Sequence, residues 1–163
     1  MRERMASPFV PVVFYKDPMA ALEWLKAAFG FEISLLVTDN DGNVAHAVMS
    51  FGEGEVGVGG EWGSPDLIGP ATLKSPASIG GMGTQFIRVT LDGRLDEHCS
   101  RAEAAGARIT DRPREQFYGD RTYRALDLEG HVWNFSQAGR EVPAEEWEQS
   151  MGLKIQKGGE GHG

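Results

Sequence analysis

The stretch Phe117 to Phe135, FYGDRTYRALDLEGHVWNF, decides how the chain is read. Arg121, Tyr123 and Ala125 alternate along one strand, and Val132, Trp133 and Phe135 occupy a second. The acidic turn Asp127-Leu128-Glu129-Gly130 joins them. An echo lies 76 residues upstream, where Gly130 falls on Gly54 in FGEGEVGVG and the segment Ala104-Ala105-Gly106-Ala107-Arg108-Ile109 falls on Ala28-Phe29-Gly30-Phe31-Glu32-Ile33. Ala28, Gly30 and Ile33 match Ala104, Gly106 and Ile109 without a gap, so the chain reads as one unit written twice.

Each unit spells β-α-β-β-β. In the first, Phe9 to Tyr15 is an apolar run that reads as a strand covered on both faces, with Pro11 placing it at an edge or bulge. Asp17 before Pro18 is an N-cap signal, Met19, Leu22, Lys26 and Phe29 form a helical stripe, and Gly30 is its stop. Phe31 to Thr38 and Val44 to Phe51 read as a hairpin around Asn40-Asp41-Gly42-Asn43, and Glu55 to Gly59 as the last strand. In the second, the strand runs Gln85 to Leu91, with Ile87, Val89 and Leu91 toward the helix. A helix from Leu95 to Ala105 stops at Gly106, and a strand opens at Arg108 before Pro113 interrupts it.

The predicted architecture is therefore α+β: two βαβββ repeats whose mixed sheets form a cup with the helices outside. Repeat one covers about 9–59, a loop spans 60–83, repeat two covers about 84–137, and 138–163 is a capping helix and flexible tail. Trp62, Leu67, Ile68, Leu73, Ile79 and Met82 give the loop apolar surface that suits a lid or packed strap better than a free linker. Pro143 and Trp147 suggest a short helix packed back on the body. The tail Lys157 to Gly163 is too polar and Gly-rich to pack, and His162 within it enters no site.

Composition narrows the function. The 163 residues are 40% hydrophobic, enough for a core, and the formal charge of -8 with no local Lys/Arg cluster excludes a nucleic-acid surface. No run reaches the roughly 18 apolar residues of a membrane span, and MRERMASP lacks the apolar core of a signal peptide, so a cytoplasmic protein is expected. The lone cysteine, Cys99, shares a helical face with Leu95 and Ala102, which is core spacing, and it excludes an internal disulfide.

The doubled βαβββ pattern, the D-x-E-G-H-x-W-x-F ending and the A-x-G-x-x-I helix exit resemble the vicinal-oxygen-chelate superfamily of glyoxalases, bleomycin- and fosfomycin-resistance proteins and extradiol dioxygenases. The resemblance covers about Phe9 to Gln137. It implies a cup formed within a chain or by exchange between chains, a homodimer, and, in metal-using members, ligands on the first and last strands of each unit. Those places fall at Val10, Val58, Phe86 and Asn134, spaced identically in both repeats. Three apolar side chains and one amide make no normal metal site, so no cofactor is expected. Iron, zinc, manganese or nickel would require displaced ligands such as His46, Gln85 and Glu55.

The residues proposed to meet a ligand are His46, Phe86, Arg88, Tyr118, Arg121, Tyr123 and Asn134. Two phenols and a guanidinium clamp planar or anionic molecules, although Asp120 and Asp127 offer Arg121 ordinary partners. Arg88, opposite Ile87 and Val89, is expected on the cup side, and of Asn134 and Trp133 only one can point inward. Arg121 and Tyr123 share a face and stand or fall together, whereas His46 aligns with Thr122 on the other. His46 reads either as a half-buried histidine holding a carbonyl or as an acid/base group, and Tyr123 is the other catalytic candidate. His131, after a turn glycine, suits a structural cap. The function expected is metal-free binding of a small anionic or carbonyl-bearing organic molecule, the alternative being a metal-dependent lyase or extradiol dioxygenase.

Overall fold

The computed structural model describes residues 7–62 and 72–158. Repeat one comprises β1 (Val12–Tyr15), α1 (Pro18–Phe29), β2 (Glu32–Thr38), β3 (Val44–Phe51) and β4 (Gly54–Gly60). Repeat two comprises β5 (Phe86–Leu91), α2 (Leu95–Ala104), β6 (Arg108–Glu115), β7 (Arg121–Leu126) and β8 (Val132–Gln137), and α3 (Ala144–Met151) follows. Each repeat builds a four-stranded mixed sheet, ordered β1-β4-β3-β2 and β5-β8-β7-β6, and among the described residues no ladder bonds close the two into one. None of the helices among the described residues is long and apolar enough to cross a membrane.

Local chemistry sets the helix ends as the sequence implies. The Asp17 carboxylate accepts from Ala20 N at 3.0 Å, Pro18 takes the first turn, and Gly30 stops α1 at φ 78°, a conformation any Cβ would strain. The buried stripe is Ala21, Leu22, Leu25, Ala28 and Phe29. Met19 and Lys26, expected on that stripe, lie outside it, because the core meets α1 through the 21/25/28 rows. In α2 the buried residues are Leu95, Cys99 and Ala102, as their spacing predicts.

Two strand readings are corrected. β1 is an edge strand, as Pro11 suggests, but only one of its faces is covered: Val13 and Tyr15 are buried while Val12 is exposed, and Phe9 and Val10 precede the ladder. Pro113 does not break β6. The strand passes through it with register shifts between Ile109 and Asp111 and between Asp111 and Arg114, which lets a residue without an N–H stand on an outer strand.

Helices α1 and α2 each cover one face of a sheet and touch each other, so a single core spans the repeats. Trp24 Nε1 donates to Ala105 O at 2.8 Å, and the Arg101 guanidinium donates to Ala27 O and Lys26 O, capping the carbonyl end of α1. Phe29 sits at the centre, its ring 4.7 Å from Phe135, 5.6 Å from Trp133 and 5.5 Å from Phe31. Truncating such a ring costs about 3–5 kcal/mol. In the connecting loop, Trp62 and Leu73 form an isolated antiparallel bridge, Ser75 N donates to Glu61, and Ser75 caps a 3-10 turn at Pro76–Ser78. Ile79 and Met82 stay exposed; Leu67, Ile68 and His162 lie outside the described residues. Trp147 on α3 packs its ring 5.7 Å from Phe117 and 5.8 Å from Tyr118.

Candidate functional site

The motif that reveals the repeat acts first as a joint. The Asp127 carboxylate is buried and accepts four hydrogen bonds: from Tyr15 Oη at 2.6 Å, Trp133 Nε1 at 3.0 Å, and the backbone N–H groups of Glu129 and His131, each at 3.0 Å. Burial, followed by the Asp127 charge, pushes the Tyr15 phenol well above its ordinary range, so it stays a donor. Glu129 then accepts from Lys16 N, Asp17 N and the Ser75 hydroxyl, and His131 Nε2 lies 2.7 Å from Phe14 O. A carbonyl only accepts, so that nitrogen carries the proton. The β7–β8 turn of repeat two thereby clasps the β1–α1 junction of repeat one.

Alternation and register sort the remaining candidates by face. On the helix face lie Trp133, Phe135, Tyr123 and Ala125, all buried. The Tyr123 hydroxyl is 2.6 Å from His98 Nδ1, and the other ring nitrogen of that histidine is 2.9 Å from Phe29 O. Phe29 O fixes the proton on Nε2, leaving Nδ1 to accept from Tyr123. Burial lowers the His98 pKa and raises that of Tyr123. Arg121 shares this face and makes two hydrogen bonds to Asp96 on α2, at 2.7 and 2.9 Å. The expectation that Arg121 and Tyr123 face the cup is therefore corrected: one is tied to a helix carboxylate and the other to a core histidine. Tyr118 belongs to the aromatic contact with Trp147.

On the opposite, open face, three rows cross repeat two. Phe86, Val132 and Leu126 align in register, then Arg88, Asn134 and Arg124, then Thr90, Ser136 and Thr122. Asn134 is thus the inward residue and Trp133 the core one. In repeat one the corresponding rows are Glu55, Ser50 and Glu32, and Val12, Gly57, Val48 and Leu35. His46 pairs with Val37 and is exposed; its ring makes no hydrogen bond to another described residue. Val58 is in the core beside Val13 and Ala47, not on the open face. The counterpart of Asn134 is Gly57, a pairing 77 residues apart, because Val12 pairs with Gly57 while Arg88 pairs with Asn134. Phe86 and Asn134 thus share the open face, whereas Val58 is turned away from it.

Two clefts lie where the edge strands β1 and β5 approach, and the repeat relates them. One, of 350 Å³, runs between Val12–Phe14, Gln85 and His131. The other, of 410 Å³, runs between Pro11, Glu55 and Ile87–Thr90, and reaches Phe31, Phe51 and Trp133. The first is bordered by His131 and Phe14 of the clasp. Beside the second, Phe51 stands where repeat two has Asp127 and Leu91 where repeat one has Tyr15, so the pair that Tyr15 and Asp127 make has no counterpart at these two positions. The cleft is mainly apolar, and Arg88, Thr90, Ser50, Glu53 and Glu55 are among the polar residues at its wall.

His98 and Arg124 are the residues the sequence reading misses. Leu95, His98 and Ala102 at i, i+3 and i+7 place His98 beside the buried stripe, and Arg124 follows from the alternation of Tyr123 and Ala125 once their face is known. Cys99 is buried, and burial raises its thiol pKa, which fits a packing residue.

The pattern of the Glyoxalase/Bleomycin resistance protein/Dioxygenase superfamily matches residues 9–135. TioX from Micromonospora sp. ML1 is 32% identical, with a TM-score of 0.61 over 81% of this chain and 98% of that one. The fosfomycin resistance protein FosX from Listeria monocytogenes shares the fold at 15% identity and a TM-score of 0.55, covering 87% of this chain and 98% of that one. An uncharacterised protein of Mycobacterium bovis is 27% identical over 141 residues, 86% of this chain and 90% of its own.

Proposed function

Starting from a chain that belongs to the glyoxalase/bleomycin resistance/dioxygenase superfamily, whose fold carries binding proteins and enzymes alike, we propose that it binds a small anionic or carbonyl-bearing organic molecule without a metal. The observation that carries this reading is the 410 Å³ cleft at the end of the repeat interface that lacks the clasp. Its walls are mainly apolar and aromatic, and Arg88 and Thr90 offer donors to an oxygen of the ligand. The alternative ligands His46, Glu55 and Gln85 give the metal-dependent reading no support: Glu55 lines one cleft, Gln85 the other, and His46 neither.

Trp133 lines the cleft, so occupancy is readable by tryptophan fluorescence. Titration with anilinonaphthalene sulfonate, an aromatic anion, should quench it saturably, and Val89→Trp, which fills the cleft, should weaken that binding by about tenfold. Equal affinity in the two proteins removes the cleft as the site. The open faces also leave Val12, Leu35, Val37 and Phe86 exposed, which favours association of two copies through them. Sedimentation equilibrium should find a dimer at about tens of micromolar protein, and a clean monomer there counts against this.

A further inference from the structure

Resting on the binding reading above, we propose that Arg88 and Arg124, with the Asn134 amide between them, form an anion seat selecting organic carboxylates or phosphates that carry an apolar body. The three residues are aligned by the ladder itself, Arg88 opposite Asn134 and Asn134 opposite Arg124, across β5, β8 and β7. Neighbouring strands lie about 4.8 Å apart, so the two arginine Cα atoms are roughly 10 Å apart and both side chains can reach a point over Asn134. An amide there adds a donor to the guanidinium forks, whose paired N–H groups match two oxygens of one carboxylate or phosphate.

The charges around these arginines are arranged to leave them free. Four of the nine described arginines are spent on carboxylates. Arg112 pairs with Glu103, Arg114 with Asp111, Arg121 with Asp96 and Arg140 with Glu115. Asp111, the cross-strand neighbour of Arg124, is therefore already engaged. Neither Arg88 nor Arg124 has an ion pair with another described residue, and they are the two such arginines that share a row.

The adjoining rows define the rest of the ligand. Two residues along the strands, about 7 Å away, Phe86, Val132 and Leu126 form an apolar strip, and Phe86 is 52% exposed on it. Thr90, Ser136 and Thr122 flank the other side, with Thr122 already accepting from Gln116. Arg88 also borders the apolar cleft. A charged head on the arginines thus leaves an apolar body two coverings, the strip and the mainly apolar cleft, at whose wall Glu53 and Glu55 also stand.

The test is calorimetry with phenylacetate, benzyl phosphate and the neutral phenylacetamide, on the wild type, Arg88→Gln, Arg124→Gln and Val89→Trp. The wild type should bind at least one of the anions roughly tenfold or more tightly than the amide, and the stronger anion identifies the head group. Each arginine variant should lose that preference while keeping the amide affinity and the melting temperature. A preference that is absent, or that survives in both arginine variants, overturns the seat. If all three compounds bind alike and Val89→Trp weakens all of them, the seat falls and the cleft stands; if none binds, both fall. A dimer that dissociates in Arg124→Gln, with no anion bound by the wild type, would give these arginines to the acidic row of a second copy and overturn the seat as well.

Discussion

Replacing Asp127 is the sharpest perturbation of the interface between repeats. All four of its partners are donors, two per carboxylate oxygen, and Tyr15 and Trp133 are buried with it. Asp127→Ala leaves the Tyr15 hydroxyl and the Trp133 N–H without acceptors. Each orphaned buried donor costs about 1–3 kcal/mol, so the variant should lose on the order of 4 kcal/mol, a large part of the roughly 5–15 kcal/mol that holds a domain folded. Asp127→Asn should be nearly as damaging despite its equal size, because its amide nitrogen must face either the indole and phenol donors or two backbone N–H groups. Tyr15→Phe removes one donor and leaves the carboxylate three, and should cost only about 1 kcal/mol. Urea denaturation followed by tryptophan fluorescence measures all three. A double-mutant cycle between positions 15 and 127 should give a coupling of about 1–2 kcal/mol. If Asp127→Ala and Asp127→Asn each lose less than about 1 kcal/mol, the clasp is not what joins the repeats.

Burial depresses the His98 pKa in the folded state, so the unfolded chain takes up a proton first as pH falls. Its contribution is complete above the ordinary histidine range and declines as pH drops through that range toward the folded value; His98→Gln should remove this part of the pH dependence in urea titrations, and an unchanged profile would show that His98 is not its source. Arg121→Ala should leave anion binding unaltered and move the urea midpoint little, since its pair with Asp96 is solvent-exposed; a loss of ligand affinity would return Arg121 to the site. Dialysis against EDTA should change neither the melting temperature nor anilinonaphthalene sulfonate binding, and a drop in either would establish a metal requirement.

The fold is legible because its signals are local and stated twice. Asp17-Pro18 starts a helix and Gly30 and Gly106 end two, with Gly106 at φ 103°, so the units can be counted without any knowledge of packing. The 76-residue offset carries α1, β2 and β3 onto α2, β6 and β7. The faces are less accessible. The turn after β7 has one more residue than its counterpart after β3, so the offset becomes 77 in the last strand. A one-residue change exchanges the two faces of a strand, which is why Val58 and Asn134 align by number yet point oppositely. Arg121 and Tyr123 fail for a related reason: alternation ties them together but does not say which side the helices cover.

The same extra residue accounts for the asymmetry between the two ends of the repeat interface. A duplicated unit would present two equivalent gaps between its edge strands, and nothing in either would favour a ligand over the protein's own turn. Here the longer turn carries Asp127, Glu129 and His131 far enough to meet Tyr15, Lys16 and Phe14, residues more than a hundred positions earlier. Such contacts leave no mark in local sequence pattern. The shorter turn ends at Gly54, and Phe51 and Leu91 put apolar groups where a carboxylate and a phenol would otherwise bond. The bonds that Asp127 makes to Tyr15 and Trp133 thus have no equivalent through Phe51 and Leu91, and the mainly apolar cleft lies beside Arg88. One end of the interface is therefore joined through Asp127, and the other is a mainly apolar cleft with Arg88 at its edge, the combination that the proposed anionic ligand would complete.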